Sequence, residues 1–230
     1  MISRARCTDD ERVVGGLRGL ATAYWRPLYL YLRKRGESHE DASDSVQGFF
    51  EHVFSSGFLQ HVGREGGKFR SYLLRSLERW RSGRRTYEGA QKRGGGVEHV
   101  PLDSIDDFRE TAEAFVSGDE VSPELAFDRQ WASDMVGHAV SALREDYRGR
   151  GREEVFEALA AALPGGGELP AYDELSAQLG MKEGTVRKAV FDLRNSFAEK
   201  LREEIRATVR NNGDAEEELA HLISVMRECR

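Results

Sequence analysis

Cysteine is nearly absent from this chain. Cys7 and Cys229 stand near opposite ends and form no metal or redox spacing. They read as reduced thiols, not as part of a disulfide framework. Proline is scarce too: five residues among long runs at helical period point to an all-α fold. The N-terminal MISRARCTDDERVVGG has no apolar core of a signal peptide, and no stretch reaches the length of a membrane span. A cytoplasmic chain is the expectation. Residues for chemistry are also lacking. His39, His52, His61, His99, His138 and His221 have no Cys or carboxylate partners at metal-ligand spacing. The segment GREGGKF fails as a phosphate loop, because Val62 stands where a glycine belongs and Phe69 where Ser or Thr should follow Lys68. There is no G-x-S-x-G motif, and the adjacent acids Asp106-Asp107 and Glu153-Glu154 would point in different directions on a helix. No enzyme, metal or cofactor is expected.

What is present is charge, and it is segregated. The net charge of −6 over 230 residues gives no global sign of nucleic-acid binding. Between Arg64 and Arg93, however, ten basic residues face three glutamates, a balance of +7. Interleaved Tyr72, Trp80 and Tyr87 suit a surface that tracks phosphates and stacks on bases, with a plainly solvated basic face as the alternative. From Val97 to Arg129 ten acids stand against Arg109 and Arg129, a balance of −8. This stretch reads as an acidic linker with little core of its own, holding a short helix near residues 108–115.

Helical periodicity organises the rest. Residues 17–35 carry a stripe of Ala21, Trp25, Leu28, Tyr29 and Leu32, with Pro27 predicting a kink or break and Gly36 ending the segment. Ser38, with Asp41 three positions on, caps a second helix whose buried face is Val46, Phe49, Phe50, Val53 and Phe54. A third helix from Lys68 turns Phe69, Tyr72, Leu73, Leu77 and Trp80 inward and its basic side outward. After the linker, Ser122 caps a helix with Pro123 in its first turn. Its apolar set is Leu125, Phe127, Trp131, Met135, Val136, Ala139, Val140, Leu143 and Tyr147. A helix over residues 155–163 ends at Pro164-Gly165-Gly166-Gly167. Then Tyr172, Leu175 and Leu179 precede Gly180, and Val186, Val190, Leu193, Phe197 and Leu201 follow it. Two amphipathic helices around a glycine read as a helix-turn-helix, or as an ordinary αα-hairpin. The last helix presents Leu219, Leu222, Ile223 and Met226 on one face.

Taken in this order, the chain resembles a bacterial extracytoplasmic-function sigma factor of the group with a short C-terminal extension, over about residues 18–210. YWRPLYLYLRKRG resembles the first region-2 helix, and SHEDASDSVQGFFEHVF the helix that docks on the polymerase β′ coiled coil. GKFRSYLLRSLERW resembles the helix that melts and reads the −10 element, and YDELSAQLGMKEGTVRKAVFDLR the helix-turn-helix that reads the −35 element. The resemblance implies a region 2-like domain over residues 14–93, an acidic flexible linker over 94–122, a region 4-like domain over 123–210 and a tail helix over 211–230. It implies RNA polymerase core, through its β′ and β subunits, and promoter DNA as partners, with an anti-sigma factor or regulator acting on the tail. Asp44, Gln47, Phe50 and Glu51 would meet the core enzyme. Arg70, Arg75, Arg79, Trp80 and Arg84 would face the −10 strand, where each stacked base contributes roughly 1–3 kcal/mol. Lys182, Thr185, Arg187, Lys188 and Phe191 would meet the major groove, where Arg and Lys pair with guanine or phosphate and an aromatic meets a thymine methyl.

The chain also departs from that pattern. Gly48 replaces a Glu of the docking helix, and Gly83, Arg84 and Arg85 replace an Asn- and aromatic-containing end of the −10 helix. Lys182 stands where a Ser would cap the recognition helix, a loss of about 1 kcal/mol. Ala189 and Asp192 replace basic positions, and Asp192 repels phosphate. Two further readings stand beside the resemblance. One is a stand-alone helix-turn-helix regulator using only the second domain; the other is a nucleic-acid-processing enzyme, which lacks any metal set or nucleophile.

Overall fold

A computed structural model describes residues 9–55, 69–88, 105–117, 121–209 and 212–228. Every regular element among them is helical, so the fold is all-α. The chain divides into two compact units, Met1–Trp131 with Ala220–Arg230, and Ala132–Leu219.

The first unit is built around α1 (Asp9–Lys34). Its segment Leu28-Tyr29-Leu30-Tyr31-Leu32 is apolar all round, and all five side chains are buried. A helix apolar on every side needs partners on every side. One partner is α2 (His39–Ser55), which buries Ala42, Val46, Phe49, Phe50 and Val53. Ser38 caps it as expected, its Oγ accepting the Asp41 N–H at 3.0 Å. Pro27 does not break α1, which runs on through it. The helix stops where Gly36 takes φ 88°, and the Glu37 N–H closes back on the Leu32 carbonyl at 3.2 Å.

Another partner of α1 comes from the acidic stretch. There α4 (Ile105–Ser117) packs on α1, burying Phe108 and Ala112. The Phe108 ring meets Trp25 and Tyr29 edge-on at 5.6 and 6.2 Å, and Arg26 lies over it at 4.9 Å. Arg33 pairs with Glu113 at 2.9 Å, and Lys34 Nζ donates to the Val116 carbonyl at 3.3 Å. The expected linker therefore carries core after all, because one aromatic at a fitting register outweighs the poor hydrophobicity around it. The rest of that stretch, residues 94–104 and 118–120, lies outside the described residues.

α3 (Phe69–Glu88) completes this side, with Arg70, Leu73, Leu77 and Arg81 as its buried stripe. Arg81 is neutralised by Glu37 and Glu78. α5 (Pro123–Gly149) starts in this unit, with Ser122 Oγ accepting the Leu125 N–H at 3.2 Å. The unit boundary falls inside α5, between Trp131 and Ala132, rather than at the expected residue 123.

In the second unit the remainder of α5 buries Met135, Ala139, Leu143 and Tyr147. α6 (Glu153–Leu159) continues as a 3-10 turn over Ala160–Ala162. The turn after it passes so close to the chain that a Cβ on Gly166 would lie 2.3 Å from the Ala160 carbonyl oxygen, so this position admits only glycine. α7 (Tyr172–Leu179) and α8 (Glu183–Thr208) follow, and α8 buries Val186, Val190, Leu193, Phe197, Leu201 and Ile205. The last helix, α9 (Asn212–Glu228), buries Ala215 and Glu218 in its part of this unit, and Leu222 and Val225 in the part from Ala220 onward that belongs to the first unit. That face is rotated from the expected one: Ile223 is exposed, and a glutamate sits in the buried stripe.

Candidate nucleic-acid interface

The turn between α7 and α8 is set by Gly180, which takes the left-handed conformation at φ 63° that a side chain resists. The Met181 N–H returns to the Ser176 carbonyl at 3.1 Å, and Ser176 Oγ donates to the Met181 carbonyl at 2.5 Å. α8 then starts from Lys182, whose backbone is extended and whose side chain makes no capping hydrogen bond. The Thr185 N–H, which a serine hydroxyl there would receive, closes on the Lys182 carbonyl at 2.8 Å instead. Arg187 bridges the two helices, its guanidinium 4.3 Å from the centre of the Tyr172 ring.

On the leading turns of α8 the five expected residues come together. Lys182, Thr185, Arg187, Lys188 and Phe191 are all exposed, and Phe191 stands out as a large apolar ring 64% exposed. Their charge is partly balanced along the helix. Arg187 pairs with Glu183 at 2.5 Å and Lys188 with Asp192 at 2.8 Å, each four residues away. Such exposed pairs contribute only about 0–1 kcal/mol, so a phosphate can take over the cation. Arg194 is directed elsewhere, its Nε donating to the Ala162 carbonyl at 3.2 Å.

In the first unit, α2 holds Asp44 exposed and Gln47 and Glu51 half-buried, with Gln47 Nε2 donating to Glu51 Oε1 at 3.3 Å. Phe50, grouped with them from the sequence, is 4% exposed and packs against Phe49 and Phe54, so it supports this face from below. On α3, Arg75 and Arg79 are exposed one turn apart. Trp80 is half-buried, with its ring 5.9 Å from Phe49 and stacked on His52 at 6.5 Å. The side chain of Arg84 lies outside the described residues.

Arg70 departs from the expected outer face. At 100° per residue it lies about 140° around the helix from Arg75, and it aligns instead with Leu73 and Leu77. It is 4% exposed, pairs with Asp128 at 2.5 Å and lies 4.7 Å over the Trp131 ring. His221 Nε2 of α9 reaches the other Asp128 oxygen at 2.9 Å, and its ring is 6.3 Å from Trp131. Sequence reasoning missed this cluster of Arg70, Asp128, Trp131 and His221. The signal for Arg70 was its i+3 and i+7 spacing to Leu73 and Leu77; no local signal marks its partners.

Among the described residues no group of His, Cys, Asp and Glu could hold a metal ion, and no helix is long and apolar enough to cross a membrane. Comparison with protein-family models, with curated proteins and with solved structures finds no match to this chain.

Proposed function

We propose that this chain is a sigma factor of the extracytoplasmic-function type, which binds RNA polymerase core and directs promoter recognition and strand opening. The observation that carries the reading is the α7–α8 pair, with Lys182, Thr185, Arg187, Lys188 and Phe191 exposed together on the leading turns of the second helix. A helix so placed inserts into a major groove, where Arg187 and Lys188 exchange their carboxylate partners for phosphate or guanine and Phe191 meets a thymine methyl. The basic residues Arg75 and Arg79 of α3, beside the half-buried Trp80, supply the backbone and stacking contacts that hold a separated −10 strand. The face of α2 with Asp44, Gln47 and Glu51 meets the β′ subunit, and the chain performs no chemistry of its own.

The test is a core-polymerase pull-down followed by run-off transcription. The chain co-purifies with core, and Asp44→Arg abolishes this, because the substitution reverses an exposed charge without touching the buried face. Retained binding by Asp44→Arg removes the interface from α2. A second reading, a stand-alone helix-turn-helix regulator, draws on the compactness of the unit Ala132–Leu219. It requires sequence-specific duplex binding in the absence of core and no association with core.

A further inference from the structure

Arg187 is held from two directions, and its two partners grip different parts of the guanidinium. Glu183, one turn earlier on α8, takes the rim: its Oε1 accepts from Nε at 3.0 Å and from Nη2 at 2.5 Å. Tyr172, the first residue of α7, takes the flat face, its ring centre 4.3 Å from the guanidinium carbon. The left-handed turn at Gly180 folds α7 back onto α8, and the hydrogen bonds between Ser176 and Met181 fix that approach. The difference between the partners matters when a ligand arrives. Arg187 and Glu183 are both exposed, so their ion pair is weak and another acceptor can replace the carboxylate. The phenol ring is uncharged and occupies none of the rim donors. It leaves them available while it restricts the many rotamers of a long side chain. The edge that Glu183 vacates, Nε with Nη2, carries two parallel donors, the set that O6 and N7 of guanine accept together. Lys188 is built otherwise. Its ammonium is a point charge held by the two Asp192 oxygens at 3.2 and 2.8 Å, with no plane to orient.

We propose that Tyr172 is a positioning residue, which holds the Arg187 guanidinium edge-on to one guanine, so that Arg187 specifies a G·C pair while Lys188 serves phosphate at any sequence. The inference rests on the reading of α8 as the helix that enters the major groove. Tyr172 touches no base. It acts through Arg187, ordering that side chain before DNA arrives and so lowering the ordering cost of binding.

The test uses the full chain, with and without RNA polymerase core, and a pool of randomised DNA duplexes. Bound duplexes are sequenced, and the selected duplex is titrated by fluorescence anisotropy beside a copy in which the guanine pair is replaced by an adenine pair. The readout is the ratio of the two affinities. The wild type prefers guanine roughly tenfold. Arg187→Lys keeps the charge but not the fork, and its ratio falls to near one. Tyr172→Leu lowers the ratio roughly threefold, the worth of an exposed cation–ring contact. Tyr172→Phe keeps the ring and retains the preference. A merely structural role for Tyr172 would weaken binding to both duplexes and leave the ratio in place. Tyr172 is half-buried, so leucine empties no core, as circular dichroism verifies; Arg187 is exposed, so its variant decides the guanine contact without touching packing. No guanine selected in either arm overturns the proposal. So does a ratio that survives Arg187→Lys, that ignores Tyr172→Leu or that is lost in Tyr172→Phe. A guanine preference that depends on Tyr172, shown without core and with no association with core, rejects the sigma reading and keeps this inference. Core-dependent transcription with a ratio indifferent to Tyr172→Leu does the reverse.

Discussion

At the scale of single residues, the departures of this chain from a well-capped recognition helix have measurable consequences. Lys182 occupies the N-cap of α8 with no side-chain capping hydrogen bond, so the Thr185 N–H turns to the Lys182 carbonyl at 2.8 Å rather than to a cap hydroxyl. Lys182→Ser should therefore stabilise the Ala132–Leu219 unit by about 1 kcal/mol in urea unfolding. The same change removes an exposed cation from the proposed groove-facing surface, so duplex binding should weaken and its salt dependence become shallower. The two effects have opposite signs, which separates stability from recognition. A second residue-scale effect lies in α1. Burial pushes the hydroxyls of Tyr29 and Tyr31 above the ordinary phenol value of about 10, although Arg33 and Arg35 act in the opposite direction. Above that value the unfolded chain ionises first, so it holds fewer protons than the native state and stability falls as pH rises. Below it the contribution is complete. Denaturation midpoints measured from about pH 9 to 11 should decline for the wild type. The decline should be much shallower in Tyr29→Phe/Tyr31→Phe, whatever constant loss follows from the Tyr29–His39 contact at 2.8 Å.

At the scale of elements, α4 shows how composition misleads. The stretch from Val97 to Arg129 carries a balance of −8 and reads as linker. Yet Leu28 to Leu32 of α1 form an unbroken apolar run, and a helix of that kind must be covered beyond the face α2 takes. The demand for a partner was legible in α1; its identity was not, because nothing local in α4 says which helix it meets. Phe108→Ala should cost about 3–5 kcal/mol of the stability of this unit in chemical denaturation, the usual loss for a buried aromatic ring. A free linker would lose nothing. α9 gives the complementary lesson. Its periodicity was clear but its phase was not, since Leu219, Leu222, Ile223 and Met226 form as good a stripe as Ala215, Glu218, Leu222 and Val225. Packing chose the second and left Ile223 exposed.

At the scale of the whole molecule, the order of most helices and several of their caps and turns followed from the sequence alone, whereas the start of α1 at Asp9 and its unbroken run through Pro27 did not. Ser38 and Ser122 cap where a hydroxyl precedes an amphipathic run, and Gly36 and Gly180 turn where φ must be positive. So did the five exposed residues of α8, because their face is complementary to a stripe of Val186, Val190 and Leu193 just beneath. These features are local, settled by contacts within about one or two turns of chain. What only the tertiary structure decided is non-local. Arg70 was one of several arginines on a basic helix until Asp128, 58 residues away, was brought beside it, with His221, a further 93 residues on, against the other Asp128 oxygen. A buried arginine needs a carboxylate, and chain folding rather than spacing decides which carboxylate arrives. The same holds for Trp80, drawn against Phe49 and His52, and for Phe108 under Arg26. Sequence determined which faces this protein could present; tertiary packing decided which of them remain open, since burial depends on partners that no local pattern encodes.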